Sequence, residues 1–256
     1  MERIVVKVGT TTVCHDNGAP NLRRIEQLCR VLADLNNEGY EMILVTSGAI
    51  GVGCHKMGYQ QRPTEMADRQ AAAAIGQCEL MSIYDRFFMD YGCLSGQILL
   101  TKDITDDEVG KKNVIATFES LIQKGAIPIV NENDSVATEE IAYGDNDTLS
   151  ALVATFVKAD LLVLLSDIDG LYDKDPNNDT SATLIPLVED LQHLQVDASS
   201  SHSKHGTGGM ITKLHAAQIA GEAGINTFLG SGKNPEILYQ IAEHEARGTL
   251  FLAKGE

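Results

Sequence analysis

Basic residues are scarce in this sequence. Its 256 residues hold 20 Lys and Arg against 36 Asp and Glu, a formal charge of −16. Neutralising nucleic-acid phosphates takes a surplus of Lys and Arg. Holding an anionic membrane surface takes the same. Both partner classes are therefore excluded as expectations. Long apolar runs are missing too. The longest aliphatic run, Leu161 to Leu165, falls far below the ~20 residues that cross a bilayer. Near the first residue, Glu2, Arg3 and Lys7 break up the short run Ile4 to Val6, which predicts no signal peptide. Cysteine is sparse and one-sided: Cys14, Cys29, Cys54, Cys78 and Cys93 include no C-x-x-C pair, and none follows Cys93. That excludes a chain-wide disulfide framework or zinc ribbon. It predicts buried free thiols in a reducing, cytoplasmic compartment. No Pro/Ser-rich linker and no internal repeat divides the chain, so one continuous domain is expected.

Short apolar runs alternate with longer amphipathic stretches. Arg3–Val8, Glu41–Thr46, Leu94–Leu100, Ala126–Val130, Leu161–Ser166 and Asn226–Leu229 read as strands buried on both faces. Between them, Leu22, Ile25, Leu28, Leu32 and Leu35 recur at helical steps before Gly39. Further helices are predicted from Thr64 to about Gly92, over Lys112–Lys124, over Asp147–Val157 and over Met210–Ala223. Strand and helix in alternation predict right-handed crossovers and an α/β fold, a mainly parallel sheet covered on both faces. Two stretches read as long loops, 167–182 and 195–209.

Several local patterns fail on inspection. Gly230-Ser231-Gly232-Lys233 lacks the first glycine and the closing Ser or Thr of a Walker A loop. Gly48, Gly51 and Gly53 run in the reverse order of the dinucleotide fingerprint. Asp173 to Asp179 imitates a calcium loop, but Asn178 stands where the turn glycine belongs. His202 and His205 read as surface residues.

Other motifs hold up. Glycine-marked turns follow the strands at Gly9-Thr10 and at Ser47-Gly48-Ala49, and another opens a helix at Thr207-Gly208-Gly209-Met210-Ile211-Thr212-Lys213. Parallel sheets bind ligands beyond the carboxyl ends of their strands, and free N–H groups at helix N-termini favour anions there. Lys7 is a cation inside an apolar strand. An edge position would explain it, but beside a glycine turn it points to an anion. The polar counterpart is Asn131-Glu132-Asn133-Asp134-Ser135, echoed by Gly144-Asp145-Asn146-Asp147-Thr148. Helix capping by Asn146 or Asp147 is one reading of the second turn. A pocket for a cationic group such as an amine is the other. An anion subsite beside a cation subsite is what an amino acid requires.

These motifs, together with Ser166-Asp167-Ile168-Asp169-Gly170-Leu171-Tyr172, resemble the glutamate 5-kinases of the amino acid kinase superfamily. The resemblance runs from Ile4 to about Leu252. It implies a three-layer αβα sandwich spanning residues 1–256 as a single kinase domain. The C-terminal PUA-type domain of many bacterial members is not expected. The implied reaction is ATP-dependent phosphorylation of the 5-carboxylate of L-glutamate, the first step of proline synthesis. Carried over position by position, ATP binding falls on Lys7, Gly9, Ser166, Asp167 and Thr207, Gly208, Gly209, Met210, Ile211, Thr212 and Lys213. Glutamate binding falls on Ser47, Gly48, Ala49, Asp134 and Asn146. Lys7, Asp147 and Lys213 form the catalytic set, with Asp147 holding the lysines. Mg²⁺ is expected on the ATP phosphates, and its protein ligands are not identified. The resemblance further implies inhibition by proline, a homo-oligomer, and transfer of the labile product to glutamate-5-semialdehyde dehydrogenase. Other superfamily kinases, acting on acetylglutamate or isopentenyl phosphate, and a non-catalytic amino-acid sensor remain as alternatives.

Overall fold

The computed structural model describes residues 2–136, 145–176, 178–191, 194 and 209–254. In chain order the elements are β1 (Arg3–Val8), α1 (Thr10–Val13), α2 (Leu22–Glu38), β2 (Glu41–Val45), α3 (Ala49–Lys56), α4 (Met66–Asp90) and β3 (Ser95–Leu100). Next come α5 (Lys102–Asp106), α6 (Glu108–Gln123), β4 (Ile127–Glu132), α7 (Asn146–Val157), β5 (Leu161–Ser166) and β6 (Leu171–Tyr172). The last are β7 (Leu184–Ile185), β8 (Leu187–Val188), α8 (Met210–Glu222), β9 (Asn226–Ser231), α9 (Ile237–Ala242) and β10 (Thr249–Phe251).

Eight strands form one sheet in the order β3-β4-β2-β1-β5-β9-β10-β8. Neighbours are parallel except β10, which runs antiparallel to β9. The first strand therefore lies in the middle. Lys7 pairs in register with Val45 on one side and Leu164 on the other. An edge position does not explain this lysine.

Side chains alternate across a strand, and β1 divides its own between two cores. Ile4, Val6 and Val8 pack in the core that holds Ile25, Leu28 and Leu32 of α2 with Leu80 and Tyr84 of α4. Val5 packs in the opposite core, with Leu149 and Val153 of α7 and Ala216, Ala217 and Ala220 of α8. Lys7 shares the parity of Val5, so it rises toward α7 and α8. The sheet is covered on both faces, which is the three-layer arrangement anticipated from the alternation.

Several boundaries differ from expectation. β4 runs on through Asn131 and Glu132, because both are buried in the sheet and pair with Leu99 and Leu100. β9 extends to Ser231, which pairs with Ser166. α6 starts at Glu108, earlier than the apolar pattern suggests, because the Asp107 side chain accepts from Gly110 N and caps it. Part of the stretch 167–182 is not loop: β6 pairs with β7. Cys14, Cys29, Cys54 and Cys93 are buried free thiols, but Cys78 of α4 is exposed.

Candidate active site

The carboxyl ends of β2, β1 and β5 meet beneath the N-termini of α7 and α8. Lys7, next to last in β1, reaches Asp147 in the first turn of α7, with Nζ 2.5 Å from Oδ1. Lys213, one turn into α8, approaches the other oxygen, with Nζ 3.2 Å from Oδ2. Thr212 Oγ1 donates to that same Oδ2 at 2.8 Å. The Asp147 side chain is 0% exposed, and those of Lys7 and Lys213 are 9% and 8% exposed.

Capping does not explain this aspartate. The N-cap of α7 is Asp145, whose carboxylate accepts from Thr148 N at 2.8 Å. Burial alone would raise the Asp147 carboxyl. The charges of Lys7 and Lys213 outweigh it and hold the group down at about 2. Taking such charges out of water costs several kcal/mol per ion, so a buried cluster is a poor device for stability. Two ammonium groups share one carboxylate, which leaves a surplus positive charge facing the strand ends. An anion completes that balance. The first-turn N–H groups of α8, which has no side-chain cap, add donors of the same sign.

The neighbouring turns are held closely. Gly48 precedes α3 with φ +100°, a backbone that L side chains rarely adopt, and a Cβ there would meet Val13 Cγ2 at 2.9 Å. At the crossing of α3 and α4, a Cβ on Gly76 would stand 1.8 Å from the Ala49 carbonyl oxygen. Only glycine permits this approach, which brings α4 against the start of α3.

The second half of the site is made of amides. Asn146 Nδ2 donates to Thr46 O at 2.8 Å, Ser47 Oγ at 2.9 Å and Asn131 Oδ1 at 3.0 Å. Asn131 Nδ2 in turn donates to Gln77 Oε1 of α4 at 2.9 Å. Beneath them Thr46 Oγ1 and the Tyr84 hydroxyl, both fully buried, hydrogen-bond at 2.8 Å. Beyond β4 opens a cavity of about 400 Å³, lined by Ala49, Gln77, Cys78, Glu132, Asn133 and Asp134 among others. Burial pushes the Asp134 carboxyl above its ordinary value, and Arg62 and Arg69 offset part of that rise. A desolvated carboxylate whose rise the two arginines offset only in part suits an incoming cation.

The expected site residues thus fall into two neighbouring groups. Lys7, Gly9, Ser166, Asp167 and Gly209 through Lys213 lie on the β1, β5 and α8 side. Ser166 Oγ donates to Asp167 Oδ1 at 3.0 Å at the end of β5. Met210 turns into the core while Ile211 faces outward. Ser47, Gly48, Ala49, Asp134 and Asn146 lie on the β2 and β4 side. Thr207 and Gly208 fall outside the described residues. Sequence reasoning missed Gln77, Tyr84, Arg62 and Arg69. A signal for Gln77 existed: it interrupts the otherwise apolar buried stripe Ala72, Ala73, Gly76, Leu80 and Ile83 of α4.

The amino acid kinase family model matches residues 2–231. Glutamate 5-kinase of Listeria innocua serovar 6a is 51% identical over 260 residues, covering 100% of this chain and 94% of that protein. Glutamate 5-kinase of Clostridium perfringens is 50% identical over 258 residues, covering 99% of this chain and 96% of that protein. UMP kinase from Ureaplasma parvum superposes with a TM-score of 0.66 at 16% identity, covering 98% of both chains. An isopentenyl phosphate kinase in a substrate complex does so with a TM-score of 0.66 at 17% identity, covering 98% of this chain and 100% of its own. The two solved structures establish the likeness of fold. With a family model over most of its length and relatives at half identity end to end, this chain belongs to the amino acid kinase family and groups within it with the glutamate 5-kinases.

Proposed function

We propose that the chain transfers the γ-phosphoryl group of ATP to the 5-carboxylate of L-glutamate, giving L-glutamyl 5-phosphate and ADP. The observation that carries this reading is the buried Lys7–Asp147–Lys213 cluster with its surplus positive charge, set beside a pocket that ends in a desolvated carboxylate. A phosphoryl group suits the first and an ammonium group the second.

The acceptor is a carboxylate, already ionised at neutral pH, so no side chain has to remove a proton. Catalysis is then positioning and charge stabilisation. Lys7 and Lys213 face the oxygens of the transferring group, where negative charge gathers. Asp147 fixes both ammonium groups before the substrates arrive, which spares reorganisation during transfer. The N–H groups at the start of α8 add preorganised donors. Asn146 spends its Nδ2 on Thr46, Ser47 and Asn131, which leaves Oδ1 to accept from the substrate ammonium beside Asp134. An N-acylated or isoprenoid acceptor would bring no cation to Asp134.

These residues fit a polyphosphate, since lysines and the first-turn N–H groups of a helix are its natural partners. Mg²⁺ bound to the phosphates would neutralise part of their charge. Mg²⁺ prefers phosphate oxygens and water, and among the described residues no group of three His, Cys, Asp or Glu could hold a metal. Among the described residues no helix is long and apolar enough to cross a membrane. Work in the cytoplasm is part of the same proposal. One kinase domain would carry the whole activity. Proline, which resembles cyclised product, would compete in the glutamate pocket, and the labile acyl phosphate would pass to glutamate-5-semialdehyde dehydrogenase. A homo-oligomer is part of the same reading.

The test is ATP-dependent hydroxamate formation with glutamate, aspartate and N-acetylglutamate as acceptors, with and without chelator. Glutamate should be preferred and chelator should abolish the signal. Preference for either other acceptor would overturn the assignment.

A further inference from the structure

The orientation of three amides in the acceptor half is fixed by backbone groups whose roles cannot be exchanged. Thr46 O is a carbonyl and only accepts, so Asn146 must present Nδ2 to it, at 2.8 Å. Glu132 N only donates, so Asn131 must present Oδ1 to it, at 2.9 Å. The other end of Asn131 is then Nδ2, which donates to Gln77 Oε1 at 2.9 Å. Reversing Gln77 would set two donors against each other. Its remaining group is therefore Nε2, a donor.

That donor is conspicuous. Gln77 is 9% exposed, and Nε2 has no hydrogen-bond partner among the described residues. Burying an amide donor without a partner destabilises the fold unless a ligand supplies one. Gln77 also lines the 400 Å³ cavity, beside Asn133, Asp134 and Ser135. The positive charges of Arg62 and Arg69 are close enough to act on Asp134, and they favour an anion at the same end. A fixed, desolvated donor next to a carboxylate is the pattern that an α-amino acid head group fills, carboxylate to the donor and ammonium to Asp134.

We propose that Gln77 Nε2 is the specificity-determining contact for the α-carboxylate of the acceptor, held in that sense by the Asn146–Asn131–Gln77 amide chain. This rests on the glutamate-kinase reading and adds to it the residue that tells an α-amino acid from a plain amine with the same distal carboxylate. Asp134 selects the ammonium, and Gln77 selects the group beside it.

Gln77→Glu is the discriminating variant. It keeps an oxygen for Asn131 Nδ2 and turns the donor into a negative charge. The experiment measures kcat/KM by hydroxamate formation for three acceptors: L-glutamate, its α-carboxamide, and 4-aminobutyrate, which has no α-carboxylate. In the unaltered protein glutamate should lead. In Gln77→Glu the glutamate value should fall by about 10- to 100-fold, the range of one charged hydrogen bond. The fall should lie in KM. The 4-aminobutyrate value should stay within about threefold, and the α-carboxamide, which can donate to the new carboxylate, should overtake glutamate. Each comparison is a ratio within one protein, so a loss of folded fraction cancels. Gln77→Met, of similar volume, gives the same glutamate to 4-aminobutyrate readout if the glutamate variant does not fold. A ratio unchanged from the parent in either variant would overturn the proposal. It would leave the kinase reading standing so long as the parent protein phosphorylates glutamate. If the parent protein does not, both fall.

Discussion

The two halves of the site solve opposite electrostatic problems. On the β1, β5 and α8 side, three buried charges are locked together before any ligand arrives, and the Asp147 carboxyl is held down at about 2. On the β2 and β4 side, the polar groups are mostly neutral amides, and burial lifts the Asp134 carboxyl rather than lowering it. A phosphoryl group in transfer gathers charge that is absent in the ground state, so its cations must be placed in advance. An amino acid carries the same ammonium and carboxylate before and after the reaction. Its pocket can stay unpaired until the ligand supplies the missing partners. The contrast predicts that one half governs turnover and the other governs binding.

The sharpest way to break this contrast is Asp147→Asn. It leaves Lys7 and Lys213 without their shared anchor, and kcat should fall by about 10²–10³ while the glutamate KM stays nearly unchanged, as for one misplaced transition-state donor. Steady-state kinetics with thermal melts as a folding check would read this. A rise in glutamate KM with kcat intact would reverse the assignment of the halves.

Asp134→Asn should do the converse. Losing a charged hydrogen bond present in both ground and transition states costs about 2 kcal/mol or more, a KM rise of roughly 30-fold. Turnover at saturating glutamate should change by less than about fivefold.

Acid titration sharpens the comparison from the side of stability. The folded carboxyl of Asp147 lies at about 2, below its ordinary 3.8. Its contribution, about 2 kcal/mol, is therefore present above pH 3.8 and lost as pH falls from there toward 2. Asp134 has the opposite sign: its raised carboxyl favours the folded state at low pH, and that advantage disappears as pH rises through its shifted value. Urea unfolding across this range should show the gap between the unaltered protein and Asp147→Asn closing as pH drops. A gap independent of pH would mean that the carboxylate charge is not what the lysines feel.

The smallest effect belongs to Asp145. Its carboxylate caps α7 through Thr148 N and touches neither lysine in the observed geometry. Asp145→Ala should cost about 1 kcal/mol of stability and leave both kinetic constants within twofold. Three consecutive residues, Asp145, Asn146 and Asp147, would then report cap, binding and turnover in turn.

Much of this was legible in the chain before its fold was known. Strands such as Arg3–Val8 and Leu161–Ser166 announce themselves because burial on both faces demands unbroken apolar runs. Lys7 stood out for the same reason, as a charge where none belongs. The neighbouring acidic turns were visible, but not which aspartate capped the helix. That choice is made by the backbone at Asp145, and two adjacent carboxylates look alike in sequence. Gln77 was visible as a break in an apolar stripe, but its partner was hidden for a different reason. Gln77 lies 54 positions from its partner Asn131, and the contact exists only because glycines at the α3–α4 crossing let α4 come close. Contacts of that range are properties of packing, which local periodicity does not encode.

The separation of the two halves is tested most directly by the double variant Asp134→Asn/Asp147→Asn. Sites that act on different quantities contribute independent free energies, so their effects on kcat/KM should multiply. With single losses of about 30-fold and a few hundred-fold, the double variant should lose roughly 10⁴ relative to the unaltered protein, within a factor of about three of the product. A double variant no worse than Asp147→Asn alone would contradict the account, because the two aspartates would then be serving one function.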